Sequence, residues 1–406
     1  MNRRRFAITL ALSCLLILST GLVATAQTPA GSPTATRLAT GLAGGAGSAI
    51  GPDGALYVAE RDAGRISRVD PQTGAVTTFA SGLPRRDPDL PFGGSVDVAF
   101  IGATAYVLVT MVGADMPFPY DIGPPAVVGI YRVDSPTKFT VIADLGAFST
   151  THPPDGRGFV TFIPSGVYYA LEPYRGGFLV ADGHHNRVLR VTLDGVINEV
   201  IGFGNIVPTG LTVKGNTVYM AEAGPIHHDP ADGKVVAFET DSPAARTVAA
   251  GAPLLVDVEV GPGGQLYALS QGAGDPTAGE GSPALPNTGA LVQVNQDGTF
   301  TVIMRGLDRP TSLEFIGNTA YIATLGGEVW MIALSAPMPG LPSTGGGGLA
   351  SPTSVNTALV AVPGLVGAMV LLLLGVLGVR TRRSRPPDLS DACAGSLRLD
   401  SGTPST

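Results

Sequence analysis

The sequence predicts an all-β fold, a six-bladed β-propeller closed by an N-terminal strand, followed by one C-terminal transmembrane helix. Six segments within residues 36–334 repeat one pattern of short strands and Gly/Asp turns. The last segment lacks its fourth strand, and a matching strand stands at the front of the repeats. Residues 358–379 form an uncharged apolar stretch that is long enough to span a bilayer.

Each repeated segment alternates apolar and polar positions between Asp-Gly or Gly-Asn turns, which indicates antiparallel strands. Residues 48–59 read SAIGPDGALYVA, and related strand cores recur in the later segments. These cores are centred on Tyr57, Tyr106, Leu179, Tyr219, Tyr267 and Tyr321. Units of four strands at this spacing are typical of propeller blades. A pair of unclosed β-sandwich sheets is the alternative.

The N-terminal strand is predicted to complete the last blade. Residues 36–42 (TRLATGL) resemble residues 301–307 (TVIMRGL), which form the fourth strand of segment five, whereas segment six ends near residue 334. Pairing the first strand with the last would remove exposed sheet edges. It would also hold the ring without a disulfide, because Cys14 and Cys393 both lie outside the repeats.

Residues 1–26 have the three parts of a secretory signal peptide. Three arginines precede a short apolar region, which ends in an A-x-A cleavage site. Cleavage is predicted between Ala26 and Gln27. A retained membrane anchor is the alternative, and the arginines leave both Sec and twin-arginine export open.

The C-terminal end is predicted to anchor the propeller in the cell membrane. Residues 335–357 are rich in Pro, Gly, Ser and Thr and form a flexible stalk. Residues 358–379 cross the membrane, and the arginine-rich residues 380–406 form a cytoplasmic tail under the positive-inside rule. The propeller would then face the exterior. A buried core helix is disfavoured, because residues 358–379 are apolar on all sides.

A sortase-like motif precedes the predicted helix. Residues 341–345 read LPSTG, which fits the LPxTG pattern and would place cleavage between Thr344 and Gly345. A sortase is therefore a candidate partner, and cleavage would leave the protein attached to the cell wall. A second match, LPNTG at residues 285–289, lies within the repeats. Whether the helix is kept or cut away stays open.

The charge of the chain disfavours one class of partner. The sequence has 32 acidic and 25 basic residues and a formal net charge of −7. An acidic exterior argues against binding to nucleic acid or to an anionic membrane surface. A small molecule, a carbohydrate or a protein remains as the ligand.

The long loops are predicted to open on one face of the ring, where binding sites are commonly built. Residues 111–128, 223–233 and 272–287 join second to third strands, and residues 148–164 join two blades. All five histidines fall on these loops or on the turn between matching strands. The candidate binding residues are His152, Asp182, His184, His185, Glu222, His227, His228 and Asp229.

Two divalent-cation sites are considered. Imidazoles beside carboxylates on the loops suit Zn²⁺ or acid–base catalysis, with solvated polar loops as the alternative. Asp97 and Asp257 stand in matching first strands of opposite blades, and first strands line the channel of a propeller. Carboxylates converging there suit Ca²⁺, with solvated channel walls or local hydrogen bonds as the alternative. No nucleophile elbow, Walker loop or cysteine nucleophile is present, so the catalytic residues are unknown.

Two motifs carry a family resemblance. Residues 181–188 (ADGHHNRV) are similar to the NHL-repeat signature. Residues 51–58 (GPDGALYV), with RISRVD at 65–70, resemble the ScyD/ScyE family of exported, propeller-like proteins. The resemblance covers residues 36–334 and implies the fold and export, but no biochemical activity.

The sequence favours a non-enzymatic surface module for binding or scaffolding, because the repeats are regular and no catalytic motif stands out. The alternative is a metal-dependent hydrolase or lactonase, since the repeats also look like propellers of the gluconolactonase type. That type uses a Glu/Asn/Asp set around a channel metal, and the resemblance offers Glu60, Asn205 and Asp257 as possible counterparts.

Overall fold

A computed structural model describes residues 33–112, 126–154, 163–225, 232–278 and 282–334. These residues form six four-stranded antiparallel sheets. No helix among them is long and apolar enough to cross a membrane. The predicted signal peptide, stalk, transmembrane helix, tail and LPSTG motif lie outside the described residues.

The chain order of the strands gives one blade after another. Blade one contains β2 (Gly45–Ile50), β3 (Leu56–Glu60), β4 (Arg65–Val69) and β5 (Val76–Ser81). Blade two contains β6 (Gly94–Ile101), β7 (Thr104–Thr110), β8 (Gly129–Ser135) and β9 (Lys138–Asp144). Blade three contains β10 (Tyr168–Tyr174), β11 (Gly177–Asp182), β12 (Arg187–Thr192) and β13 (Ile197–Gly202).

The second half of the ring repeats this arrangement. Blade four contains β14 (Pro208–Lys214), β15 (Thr217–Glu222), β16 (Lys234–Glu239) and β17 (Ser242–Ala250). Blade five contains β18 (Leu255–Val260), β19 (Leu266–Ser270), β20 (Gly289–Val294) and β21 (Phe300–Leu307), with a 3-10 turn at Pro262–Gly264. Blade six contains β22 (Pro310–Ile316), β23 (Thr319–Thr324), β24 (Val329–Ala333) and the N-terminal β1 (Ala35–Ala39).

The pairing of β1 with β24 closes the ring and confirms the predicted six-bladed closure. Ala35 lies opposite Ile332 and Thr36 opposite Met331 in an antiparallel register. Arg37 adds an ion pair to Glu328, with 2.9 Å between Nη1 and Oε1. The outer edge of the last blade is therefore covered by the first strand of the chain.

The first strands of the blades form the innermost layer. Strands β2, β6, β10, β14, β18 and β22 pack against one another in that order, and β22 packs against β2. Aromatic side chains fill the space between neighbouring blades further out. Tyr57 of blade one packs edge-on against Phe100 of blade two at 4.8 Å between ring centroids. Tyr106 of blade two packs in the same way against Phe178 of blade three at 4.9 Å.

A recurring backbone hydrogen bond defines one face of the ring, which we call the loop face. The residue that follows a second strand donates its N–H to the carbonyl of a residue that precedes the first strand of the same blade. The pairs are Arg61 to Gly44, Gly183 to Val167, Ala223 to Val207, Gln271 to Leu254 and Leu325 to Arg309. The second-to-third loops and the interblade connections therefore open on the same face, as the sequence predicts.

One element differs from the expected loops. The connection between blades two and three contains a short helix, α1 (Leu145–Thr151). It begins because the carboxylate of Asp144 accepts a hydrogen bond from the backbone N–H of Ala147 at 2.8 Å, which satisfies a free donor of the first turn. The helix places Ser149 and His152 beside blade three.

Candidate functional site

A cavity of about 410 Å³ occupies the centre of the ring and is lined by residues from all six first strands. Its end towards the loop face, which we call the channel mouth, is lined by loop residues. These are Arg61, Pro91, Phe92, Val207, Ala223, Leu254, Gln271, Ser282, Pro283 and Leu325, and Tyr169, the second residue of β10, also lines the cavity. A cavity of this size lies in the range that small-molecule sites occupy in proteins.

Asp97 and Asp257 lie in this cavity, in the inner strands where the sequence places them. One oxygen of Asp97 accepts the N–H of Val98 and the other accepts the N–H of Leu171, both at 2.8 Å. Leu171 belongs to the next blade, so the carboxylate joins two inner strands. In the same way, one oxygen of Asp257 accepts the N–H of Val258 at 2.9 Å, and the other accepts the N–H of Leu313 of the next blade at 2.7 Å.

Two glycines complete a pseudo-twofold arrangement around these aspartates. A β-carbon on Gly47 of blade one would overlap the carboxylate of Asp97. A β-carbon on Gly210 of blade four would overlap the Cα atom and carboxylate of Asp257. In both halves of the ring, therefore, a glycine in one blade makes room for the aspartate of the next blade.

The same symmetry relates two further carboxylates. Glu172 follows Leu171 in β10, and Glu314 follows Leu313 in β22. Both glutamates line the cavity, together with Glu259 of β18. We call the five side chains Asp97, Glu172, Asp257, Glu259 and Glu314 the carboxylate cluster. The sequence signal that could have identified the two glutamates is the Leu-Glu pair, which occurs at matching positions in the inner strands of blades three and six.

Burial and mutual repulsion raise the pKa values of the carboxylate cluster. Burial, followed by the nearby charge of Asp97, raises the pKa of Glu172 to about 8. Burial raises the pKa of Asp257 to about 7. The pKa values of Asp97, Glu259 and Glu314 are raised well above their ordinary range by burial and by neighbouring carboxylates. Such groups can exchange protons near neutral pH or stabilise a cation.

The carboxylate cluster does not have the geometry of a metal site. Among the described residues, no group of three or more His, Cys, Asp or Glu side chains is placed to hold a metal ion. Both oxygens of Asp97 and of Asp257 accept backbone N–H groups instead. The Ca²⁺ or Zn²⁺ predicted from the sequence therefore finds no ligand set in the described part of the chain.

Asp182 and His185 belong to a buried network on blade three. Arg187 donates from Nε to Asp182 at 3.0 Å, from Nη2 to Ser149 Oγ at 2.6 Å and from Nη1 to the His152 carbonyl at 2.9 Å. His185 Nδ1 lies 3.0 Å from Asp182 Oδ2. Because Asp182, His185 and Arg187 are almost completely buried, their arrangement fastens α1 to blade three.

His152 and His184 have different surroundings. The exposed imidazole of His152 stacks on Phe148 with 4.4 Å between ring centroids. His184 has a buried Nδ1 without a hydrogen-bond partner, and burial lowers the pKa of its imidazole. The structure thus links His152 to Asp182 through Arg187. The nearby Asp182 carboxylate opposes the effect of burial on the pKa of His184.

An acidic residue lies opposite a basic residue in several blades, where the second and third strands meet at the loop face. Glu60 lies opposite Arg65, Asp182 opposite Arg187, and Glu222 opposite Lys234. Glu60 accepts from Arg65 Nε at 2.7 Å and from the Ala43 N–H at 2.5 Å, so its oxygens are engaged. Burial raises the pKa of Glu222 to about 7, against the opposing effect of the Lys234 cation.

Several predicted site residues lie outside the described part of the chain. These are His227, His228, Asp229, Ala26, Gln27, Thr344 and Gly345. Asn205 is described and partly exposed. The second histidine doublet therefore stays a prediction.

The channel mouth contains a buried cation beside aromatic rings. Arg61 is 6% exposed and donates from Nη1 to the Pro91 carbonyl at 3.0 Å, whereas its Nε has no hydrogen-bond partner. Burial lowers the pKa of this guanidinium to about 10. Phe92 stacks on Tyr169 with 4.7 Å between ring centroids. The residues around Arg61 in the sequence give no sign that its side chain is buried, so it was not predictable as a site residue.

Two residues at the channel mouth have an unusual backbone conformation. Val207 and Leu254 have φ angles of +53° and +45°, in the left-handed region that side chains other than Gly and Asn rarely adopt. The Val207 backbone is held there by the amide oxygen of Asn186, which accepts its N–H at 2.8 Å. Gly44 and Arg309 have positive φ angles at the matching positions of blades one and six, so this conformation belongs to the repeat.

Comparison with known proteins supports the fold. No family model and no curated protein sequence matches the chain. A gluconolactonase from Xanthomonas campestris is 14% identical, with 75% of this chain and 91% of that chain covered and a TM-score of 0.50. A Bacteroides thetaiotaomicron protein of unknown function is 12% identical, with 74% and 76% covered and a TM-score of 0.50.

A virginiamycin B lyase from Staphylococcus aureus is 14% identical, with 75% of this chain and 99% of that chain covered and a TM-score of 0.45. At these identities the likenesses concern the six-bladed propeller alone.

Proposed function

We propose that this protein is an extracytoplasmic ligand-binding module that holds a small polar molecule in the central channel of its propeller. The observation that carries the proposal is the cavity of about 410 Å³, which is open at the channel mouth and contains the carboxylate cluster. Asp97 and Asp257 also join neighbouring blades, but Glu314 lines the cavity and accepts no hydrogen bond among the described residues, so a purely structural role does not account for it.

The proposed location follows from the two ends of the sequence. The signal peptide at residues 1–26 would direct export, and residues 358–379 would anchor the chain in the cell membrane. The propeller would then meet its ligand outside the cell. The LPSTG at residues 341–345 adds cell-wall attachment by a sortase as a further step.

Ligand-observed NMR tests the binding proposal. The full-length chain would be mixed with a panel of sugars, amines, organic acids and short peptides. A ligand of the channel should bind wild type and Glu239→Gln equally but show altered affinity for Glu314→Gln, since Glu314 lines the cavity and Glu239 is exposed on the outside of blade four. Binding that ignores the Glu314 substitution would place the ligand elsewhere, and no binding at all would reject the proposal.

A hydrolase, such as a lactonase, is the second candidate. Glu172 and Asp257, with pKa values of about 8 and about 7, line one cavity and are suited to acid–base catalysis near neutral pH. A gluconolactonase is among the proteins that share the fold. The test is hydrolysis of glucono-1,5-lactone in a pH-stat, with and without added Ca²⁺ or Zn²⁺. Turnover that Glu172→Gln abolishes would favour the hydrolase, and no turnover under either condition would reject lactone hydrolysis.

A further inference from the structure

The internal LPNTG match at residues 285–289 has a defined place in the fold. It ends the connection between β19 and β20, and its last residue, Gly289, is the first residue of β20. Pro286, Asn287 and Thr288 are exposed, whereas Gly289 is buried. Because exposure alone does not make a peptide bond available to an enzyme, the backbone conformation and hydrogen bonds of the motif decide whether a sortase could bind it.

The threonine of the motif holds the two ends of the connection together. Its Oγ1 accepts the backbone N–H of Ala273 at 2.9 Å and donates to the Leu285 carbonyl at 2.7 Å. The Leu285 N–H donates in turn to the Ala273 carbonyl at 2.8 Å. A β-carbon on Gly272 would overlap Thr288 Oγ1, so a glycine makes room for the hydroxyl. We call these hydrogen bonds among Ala273, Leu285 and Thr288 the loop clasp.

The loop clasp supports a part of the connection that lies at the channel mouth. Ser282 and Pro283 line the cavity. Ala284 is buried in an apolar cluster with Leu254, and its N–H donates to Gln271 Oε1 at 3.0 Å. The LPNTG motif therefore has a structural role beside the proposed binding site.

The bond that the LPxTG pattern marks for cleavage lies between Thr288 and Gly289, where blade five begins its third strand. Asn287 has a φ angle of +58°, so the motif forms a turn and is not extended. Gly289 pairs with Leu307 of β21, and the space beside its Cα atom is filled by Pro310 and the Leu307 carbonyl. An enzyme that binds its substrate as an extended peptide would first have to open the loop clasp and the start of β20.

We propose that the fold protects the LPNTG at residues 285–289 from sortase, so that the LPSTG at residues 341–345 is the motif that is processed. Transfer there breaks the Thr344–Gly345 amide, joins the Thr344 carbonyl to the enzyme's cysteine as a thioester and releases residues 345–406. The proton of the cysteine thiol ends on the Gly345 amine. An amine nucleophile then forms a new amide with Thr344 and returns a proton to the sulfur.

The propeller would thus be transferred whole, with its channel mouth intact. The inference rests on the attachment by a sortase that belongs to the proposed function, and it is independent of the ligand in the channel.

Transfer of triglycine by a purified LPxTG-specific sortase tests the inference on the full-length chain in detergent. Peptide mapping by mass spectrometry should find triglycine on Thr344 and none on Thr288. A synthetic peptide of residues 281–293 has the same LPNTG without the fold. It should be cleaved at least about a hundredfold faster than the folded chain at Thr288, because three hydrogen bonds must break before the motif opens in the folded chain.

Two variants separate the two motifs. Thr344→Ala should abolish transfer, since the internal match is then the remaining LPxTG. Thr288→Val removes the hydroxyl of the loop clasp, and transfer at Thr344 should be unchanged. Hydrogen exchange at the amides of Ala273 and Leu285 should be faster than in wild type in Thr288→Val. It should be unchanged in the control Thr77→Val, which removes an exposed hydroxyl from β5.

Three results would overturn the protection of residues 285–289: triglycine on Thr288 of the folded chain, residual transfer in Thr344→Ala, or a peptide that is no better a substrate than the folded chain. Unchanged exchange at Ala273 and Leu285 in Thr288→Val would show that the loop clasp does not hold the connection.

The proposed attachment can fail separately. If the peptide is cleaved but the full-length chain accepts no triglycine at either motif, the internal motif is protected as proposed, whereas processing at residues 341–345 is rejected. Binding in the channel is tested by the NMR panel and does not depend on either result.

Discussion

The Oδ2 atom of Asp97 lies 2.8 Å from the backbone nitrogen of Leu171, one blade further round the ring. The same carboxylate sits in the space left by Gly47 of the preceding blade. One side chain therefore touches three consecutive blades at the channel wall. Asp257 does the same in the opposite half of the ring, so the centre of the propeller is held by a repeated polar contact as well as by apolar packing.

Removing this contact should destabilise the ring. In Asp97→Ala, the N–H groups of Leu171 and Val98 lose their acceptor, and we expect the free energy of unfolding in urea to fall by about 1–3 kcal/mol. Asp89→Ala, at an exposed position, is the matched control and should change stability by less than ~0.5 kcal/mol. Equal stability of the two variants at pH 7 would mean that the interblade hydrogen bonds are not stabilising.

The carboxylate cluster should make the fold less stable as the pH rises. Glu172 has a pKa of about 8 in the folded chain, above its value in the unfolded chain, so the folded state binds the proton more tightly. Its contribution is complete below about pH 4.3 and is lost as the pH rises towards 8. We expect the free energy of unfolding to decrease by about 1–3 kcal/mol between pH 5 and pH 8, since water in the channel reduces the full effect.

The variant Glu172→Gln isolates this effect. It should flatten the decrease and raise stability at pH 8, whereas Glu239→Gln should leave the pH dependence unchanged. Urea unfolding at several pH values measures both. A stability that rises steadily from pH 5 to pH 8 in wild type would contradict the raised pKa values of the cluster.

The Arg187 network should be far more sensitive than surface ion pairs. Arg187→Ala leaves the buried Asp182 carboxylate without its cation, so the expected loss is about 3–5 kcal/mol. Arg175→Ala breaks the exposed pair with Asp241 and should cost less than about 1 kcal/mol. Thermal unfolding compares the two variants, and similar losses would show that the buried network has no special role.

Ring closure by β1 gives a prediction about association. Deleting residues 35–39 exposes the edge of β24, and we expect the melting temperature to fall by about 5–10 °C together with concentration-dependent aggregation. Deleting residues 346–350 of the predicted stalk is the equally long control. Unchanged melting and a monomeric profile in light scattering would argue against closure by this strand.

Much of the fold was predictable because strand periodicity and the incomplete last repeat are properties of the sequence. The match between residues 36–42 and 301–307 predicted closure, and the loop face followed from strand order alone. The helix α1 was missed, although Asp144 carries its capping signal. A seven-residue helix has too short a pattern to stand out from a loop.

The site was harder to predict than the fold. Asp97 and Asp257 were correctly placed in opposite inner strands, but their engagement with backbone N–H groups depends on the neighbouring blade. Glu172 and Glu314 were recognisable only by comparing the two halves of the ring. The burial of Arg61 arises from residues far apart in the chain, among them Pro91, whose carbonyl accepts a hydrogen bond from its Nη1.

A crystal structure of the full-length chain with the tightest-binding compound of the NMR panel tests the central claim most directly. The account predicts ligand density inside the channel, in contact with Glu172 or Glu314. Density confined to the outer surfaces of the blades or to the loops, with the channel holding water alone, would contradict it.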